Sequence, residues 1–273
     1  MKRLLLVPFL IVNFSLWAGE FHPFDGPKPI VVVIQTDPWS MVIGSDVPRL
    51  AAYEDGTIIF LKKSETNVNY YSKKLSESEL QDLRKHLKPV ADFKNLKLFY
   101  NLLPNVTDQP EARLFLQDGN RSLATRVYGL RMPEGHFNPH TLLSKPKGNK
   151  PDDVPNELLE LHKYLCSLDY ADSKEWSPKY VEVMIWPYEY APDASIQWPK
   201  SWPGLGSERS FKRDESYSIF LDGNLLPELQ RFLKTRNEKG AVEIAGKKWA
   251  VSYRPVFPSE PVWMTAFAKS EGK

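Results

Sequence analysis

Two spacings of apolar residues recur along the chain, one of strands and one of helices. Ile30 to Gln35 is a β-branched run that predicts a buried strand. Tyr53 to Phe60 predicts a hairpin with Asp55-Gly56 as its tight turn. Ser76 to Lys88 predicts a helix: Leu80, Leu83 and Leu87 share one face, and Ser76 and Glu79 have the spacing of a capping box. Arg84, Lys85 and Lys88 suit the negative end of its dipole, and Pro89 is expected to stop it. A second hairpin, Arg113–Gln117 with Ser122–Tyr128, turns near Asp118-Gly119.

Residues 131–156 lose this periodicity and read as a linker or long surface loop. A helix then runs from Pro155 to about Leu168, with Leu158, Leu161, Leu165 and Leu168 as its stripe. The strand-strand-helix-hairpin order then recurs. Tyr180 to Trp186 and Tyr217 to Leu221 predict strands, Asn224 to Arg236 a helix, and Ala241–Ile244 with Lys248–Tyr253 a hairpin across Ala245-Gly246. The expected fold is α+β, with mostly antiparallel strands and hairpins, about three helices, and two similar lobes as an open possibility. The expected division is a signal peptide at 1–18, a first lobe at 19–135, a linker loop and helix at 136–178, and a second lobe at 179–273.

The start of the chain carries an address. Lys2 and Arg3 precede an apolar stretch from Leu4 to Leu16, followed by small Ala18 and Gly19. Positive, apolar and small in that order is a secretory signal, and the stretch is short for a membrane span. Leu16 occupies the −3 position of a cut after Ala18, where a small residue is preferred, so an uncleaved anchor is the alternative. Elsewhere no stretch is long and apolar enough to span a bilayer. The expected location is periplasmic or secreted.

Charge narrows the partners. The formal charge of +2 comes from 36 basic and 34 acidic residues. Lys2 and Arg3 account for the whole excess, so removal of the signal leaves no basic surplus to neutralise nucleic-acid phosphates. Apolar residues at 42% support a packed core, so the chain is read as globular rather than disordered. Cys166 is the single cysteine, which excludes an intrachain disulfide and cysteine-pair zinc sites. It reads as a small apolar residue on a helix.

The motifs of the common hydrolase, metalloprotease, phosphate-binding and dinucleotide-binding families are missing. His136 and His140 have a metal-binding spacing, but Gly135 and Pro139 argue against the helix that would align them. Asp152, Asp153 and His162 could join them only by folding back. His162 sits beside the apolar stripe of its helix and reads as a boundary histidine, with a general base as the sharper alternative. Asp37, Asp46, Glu54 and Asp55 cluster near the first strand, yet turns account for Asp37 and Asp55. The unusual feature is aromatic: Trp176, Tyr180, Trp186, Tyr188, Tyr190, Trp198 and Trp202 crowd one stretch, and Pro follows Trp186, Trp198 and Trp202. Proline stiffens such loops. They can either present rings to a ligand, with Trp186, Tyr188, Trp198 and Trp202 as the candidate binding residues, or plug the core.

Pro48, Tyr53, Asp55-Gly56-Thr57, Leu75-Ser76, Glu79-Leu80, Leu83, Thr107-Asp108 and Pro110 carry one resemblance. Through them Val47 to Leu130 resembles an uncharacterised domain of exported bacterial proteins. Members often have a cysteine near the first strand, which this chain lacks. The resemblance implies a bacterial envelope or secreted setting and no particular activity. The expected function is a non-catalytic, exported module that binds another protein or a saccharide, without cofactor or metal. The alternative is an extracytoplasmic hydrolase with an unrecognised carboxylate or histidine site.

Overall fold

The computed structural model describes residues 21–36, 38, 47–63, 68–131 and 150–271; the proposed signal lies outside them. In chain order the elements are β1 (Pro29–Thr36), β2 (Pro48–Tyr53), β3 (Thr57–Lys63), β4 (Val68–Lys74), α1 (Glu77–Ala91), β5 (Phe99–Asn101), β6 (Glu111–Asp118) and β7 (Arg121–Tyr128). Next come α2 (Asn156–Ser167), β8 (Lys174–Glu175), β9 (Tyr180–Pro187), β10 (Asp193–Gln197), β11 (Ser210–Arg213) and β12 (Ser216–Asp222). A 3₁₀ turn (Gly223–Leu225) leads into α3 (Leu226–Lys234), followed by β13 (Gly240–Ile244), β14 (Lys247–Pro255) and α4 (Glu260–Glu271). The fold is α+β with mostly antiparallel strands.

The first sheet has the order β5-β7-β6-β1-β2-β3-β4-β8, and the second β10-β13-β14-β9-β12-β11. Neighbours are antiparallel except β5 with β7 and β10 with β13. The Asp55-Gly56 turn forms as expected: Gly56 takes φ +83°, and the Asp55 carboxylate accepts the Thr57 amide at 2.9 Å. The capping box also forms. Ser76 Oγ accepts the Glu79 amide at 3.3 Å, and the Glu79 carboxylate accepts the Ser76 amide at 2.8 Å.

Successive residues of β1 feed two cores, because strand side chains alternate between faces. Val31 and Val33 join Leu83, Leu87, Leu158, Leu161 and Leu165 beneath α1 and α2. Val32 and Ile34 join Trp263 and Phe267 of α4 on the other face. In the second sheet, Val183 and Ile185 of β9 pack with Leu229 of α3. The opposite face takes the N-terminal segment, where Phe21 and Phe24 lie 5.8 Å from Phe220.

Two expectations change. Pro89 does not stop α1, which continues to Ala91 and buries Val90 and Ala91 against the first core. Proline removes one amide donor, and that burial holds the last turn together. A fourth helix, α4, follows the final hairpin. It belongs to the second half of the chain yet covers the rear of the first sheet.

The two halves do share a plan. β1 and β9 are each central, flanked by a hairpin that precedes a helix and another that follows it. The hairpins attach differently. β2 and β6, the first strands of theirs, pair with β1, whereas β12 and β14, the second strands, pair with β9. A strand-for-strand duplication would keep that connectivity.

Candidate functional site

The reversed attachment explains the tryptophans. β10 and β11 are opposite edges of the second sheet, so residues 198–209 must cross its width. An apolar sheet face can be crossed only by chain that buries rings and satisfies or removes its amides. Trp198 and Trp202, 8% and 6% exposed, fill this role. Their rings meet edge-on at 4.9 Å and both abut Phe232 of α3, while Trp198 Nε1 donates to the Pro203 carbonyl at 3.0 Å.

Trp186 and Tyr188 lie elsewhere. Alternation along β9 turns Ile185 toward α3 and Trp186 to the other face, where it is half-buried. Tyr188 follows the strand, half-buried, with its ring edge-on to Tyr190 at 5.0 Å; Tyr190 is 82% exposed. The four residues expected to form one binding face are therefore dispersed. Two belong to the α3 core, one to the opposite face and one to the sheet's end.

The other candidates are tied into structure. His162 is 5% exposed rather than at a boundary, and burial, helped by the Arg49 charge, lowers its pKa to about 4. Its Nε2 lies 3.6 Å from Cys166 Sγ, but a neutral imidazole supplies no charge to activate a thiol. Asp55 belongs to its turn and to Lys74 at 2.7 Å. Asp152 clasps the Asn101 amide at 2.7 Å and Lys97 at 3.0 Å. Buried Glu182 and Glu260 both pair with Arg254, at 2.5 and 2.6 Å, and Ser218 donates to Glu182 at 2.5 Å. Burial opposes the Arg254 charge but the two carboxylates outweigh it, leaving the pKa raised; burial raises the Glu260 pKa. Asp37, Asp46, His136 and His140 lie outside the described residues. Among the described residues no three His, Cys, Asp or Glu side chains are grouped to hold a metal.

A different site emerges where the two sheets meet. The short β8 ends at Glu175, and the chain turns through Trp176 and Pro178 into β9. Gly223, which opens the 3₁₀ turn before α3, lies against this turn so closely that a Cβ there would sit 1.7 Å from the Pro178 carbonyl oxygen. Its amide donates to Lys179 at 2.9 Å. Glycine is required there, and the contact fixes α3 against the β8–β9 connection. Between them opens a cleft of about 470 Å³, lined by Asn69, Glu175, Trp176, Asn224, Gln230 and Tyr253 among others. Trp176 is held by Phe257 at 4.8 Å and by Tyr70 at 5.8 Å, while Tyr70 and Phe257 are themselves 5.3 Å apart. The Trp176 amide donates to the Tyr70 carbonyl at 2.8 Å, and Tyr70 Oη donates to the Pro48 carbonyl at 2.8 Å. Asn69 Nδ2 donates to Glu175 Oε1 at 3.3 Å. The side-chain amides of Asn224 and Gln230 are solvent-exposed and make no hydrogen bond to another described residue.

No family model, curated protein or solved structure matches the chain.

The cleft draws residues from β4, β8, α3 and β14, so no local motif could announce it. Trp176 belongs to the tryptophan-rich stretch and was the one visible signal. Asn69, Asn224 and Gln230 are single polar residues on elements that read as ordinary surface.

Proposed function

We propose that this protein is an exported, non-catalytic binding module that works outside the cytoplasm and takes a saccharide or protein ligand at the junction cleft. One observation carries the reading: Trp176 is held by Tyr70 and Phe257 in an open cleft beside amides with no internal partner. A preformed aromatic wall with a few polar groups suits binding, because little ordering is lost when a ligand arrives. The charged start of the chain and its apolar run support export, and the resemblance of Val47 to Leu130 supports a bacterial envelope setting.

The rival reading, a hydrolase, needs a carboxylate pair or histidine open to substrate. Glu182 and Glu260 share Arg254 in a buried cluster, and His162 is buried on the inner side of α2, so their placement favours the binding reading. Titration of the mature protein with neutral oligosaccharides, charged oligosaccharides and unstructured peptides, followed through tryptophan fluorescence, tests it. Binding with the ligand recovered intact is expected. Release of cleaved product would overturn the non-catalytic reading.

A further inference from the structure

We infer that the junction cleft selects a neutral saccharide. The inference rests on the binding-module reading and narrows its ligand. Clefts on the described surface differ in chemistry. At the end of the second sheet, a cleft of about 350 Å³ is rimmed by Glu189, Lys212, Asp214, Glu215 and Lys247, a mixed-charge surface. Between α1 and α2, a groove of about 610 Å³ carries Lys85, His86, Glu157 and Glu160. Among the described residues, no lysine, arginine or histidine lines the junction cleft, and Glu175 is its one charged group.

That composition decides the ligand class. An anionic ligand would face the Glu175 carboxylate with no cation in the lining to offset it. A cationic one would meet a single exposed carboxylate, a weak attraction that salt screens. A sugar ring offers what remains. Its axial C–H face packs on an indole, and its hydroxyls both donate and accept. Asn224 and Gln230 supply side-chain amides that both donate and accept, and Glu175, oriented by Asn69, can accept a hydrogen bond from a sugar hydroxyl. Trp176, the Asn69–Glu175 pair, Asn224 and Gln230 share one lining, so the cleft offers a sugar an indole together with groups that donate and accept. Trp176 would then carry the stacking contact, and Asn224 and Gln230 the specificity, because an unpaired amide against a ligand lacking hydroxyls is a lost hydrogen bond.

The test uses the full mature protein and defined probes: neutral hexasaccharides of glucose, mannose and N-acetylglucosamine, a hexasaccharide of galacturonic acid, and an unstructured neutral peptide. Calorimetry should detect a neutral hexasaccharide with affinity that does not change between low and high salt. Asn224→Ala with Gln230→Ala, both on the exposed wall, should weaken it by about tenfold or more while the melting temperature stays unchanged. Trp176→Ala should abolish binding, and Trp176→Phe, which keeps a ring, guards against a folding defect by restoring part of it. Neutral-sugar binding left unaltered by the cleft variants and weakened by Tyr190→Ala would overturn the assignment of the cleft while leaving the binding-module reading standing. Preference for the galacturonate probe or the peptide would overturn the neutral-sugar class alone. Silence from every probe would sink both.

Discussion

β1 and β9 occupy the same place in their sheets and differ in sequence for a physical reason. β1 reads Pro-Ile-Val-Val-Val-Ile-Gln-Thr, and its first six residues are buried. β9 reads Tyr-Val-Glu-Val-Met-Ile-Trp-Pro, with Val181, Val183 and Ile185 on the α3 face and Glu182, Met184 and Trp186 on the other. The first sheet is covered by helices on both faces, by α1 and α2 in front and α4 behind. The second has α3 in front, whereas behind it Phe21 and Phe24 cover one part and the Glu182–Arg254–Glu260 cluster another. A strand covered twice needs an unbroken apolar run, and a strand covered once and partly needs alternation. The helix that completes the first sheet comes from the end of the chain, so the second sheet gives up its rear cover to the first.

The largest test concerns which tryptophans are core. Trp263→Ala, which empties a fully buried site on α4, and Trp202→Ala, which opens the crossing under α3, should each cost ~3–5 kcal/mol. Trp186→Ala, on the partly covered rear face, should cost ~1 kcal/mol. Chemical denaturation of the three variants reads the difference directly. A Trp186→Ala loss equal to the others would show that the second sheet's rear is as well covered as the first's, and the contrast would collapse.

Acid should weaken the first sheet's helix layer. His162 in α2 titrates near pH 4 when folded and near 6.5 when unfolded. Between those values the unfolded chain holds the extra proton, so stability falls as pH drops through that window and is fully retained above it. The loss should reach about 3 kcal/mol below pH 4. Unfolding free energies from pH 7 to pH 4 should show this slope in the parent and lose it in His162→Leu. A parent curve as flat as the variant's would place His162 in a wetter setting than α2 provides.

Ser76→Ala should cost ~1 kcal/mol by removing half of the capping box at α1. An unchanged denaturation midpoint would mean that packing of Leu83 and Leu87 alone holds the start of that helix. The smallest effect belongs to Tyr190, 82% exposed beyond β9. Tyr190→Ala should shift stability by less than ~0.5 kcal/mol, and a calorimetric loss several times larger would show that the Tyr188–Tyr190 pair braces the second sheet's end.

Local signals explain which elements were legible. Asp55-Gly56 and Ser76 with Glu79 act within three or four residues of themselves, and each forms as read. β4 escaped because Tyr70 and Tyr71 point to different cores from a strand whose other residues after Val68 are polar. α4 escaped because Trp263 and Phe267 are its two fully buried anchors, too few to mark a stripe. Pro89 misled because the penalty of a proline in a helix is local, whereas the burial of Val90 and Ala91 that outweighs it is not. The crowd of tryptophans was visible, but Trp186 and Trp198 look alike in sequence. Their fates differ because one sits on an alternating strand and the other on a chain that must cross a sheet.

The sequence by itself determined the turns, the helix cap, the apolar stripes and the α+β class, since these follow from interactions between residues close along the chain. Tertiary structure alone decided that the second half's hairpins attach in reverse, that residues 198–209 therefore run across an apolar face, and that α4 returns to the first sheet. It also decided the cleft, because Asn69, Trp176, Asn224 and Tyr253 meet only after β8, α3 and β14 have docked. Gly223 shows the reason most plainly. Its lack of a side chain means nothing along the chain, and it matters because Pro178 lies where a Cβ would be.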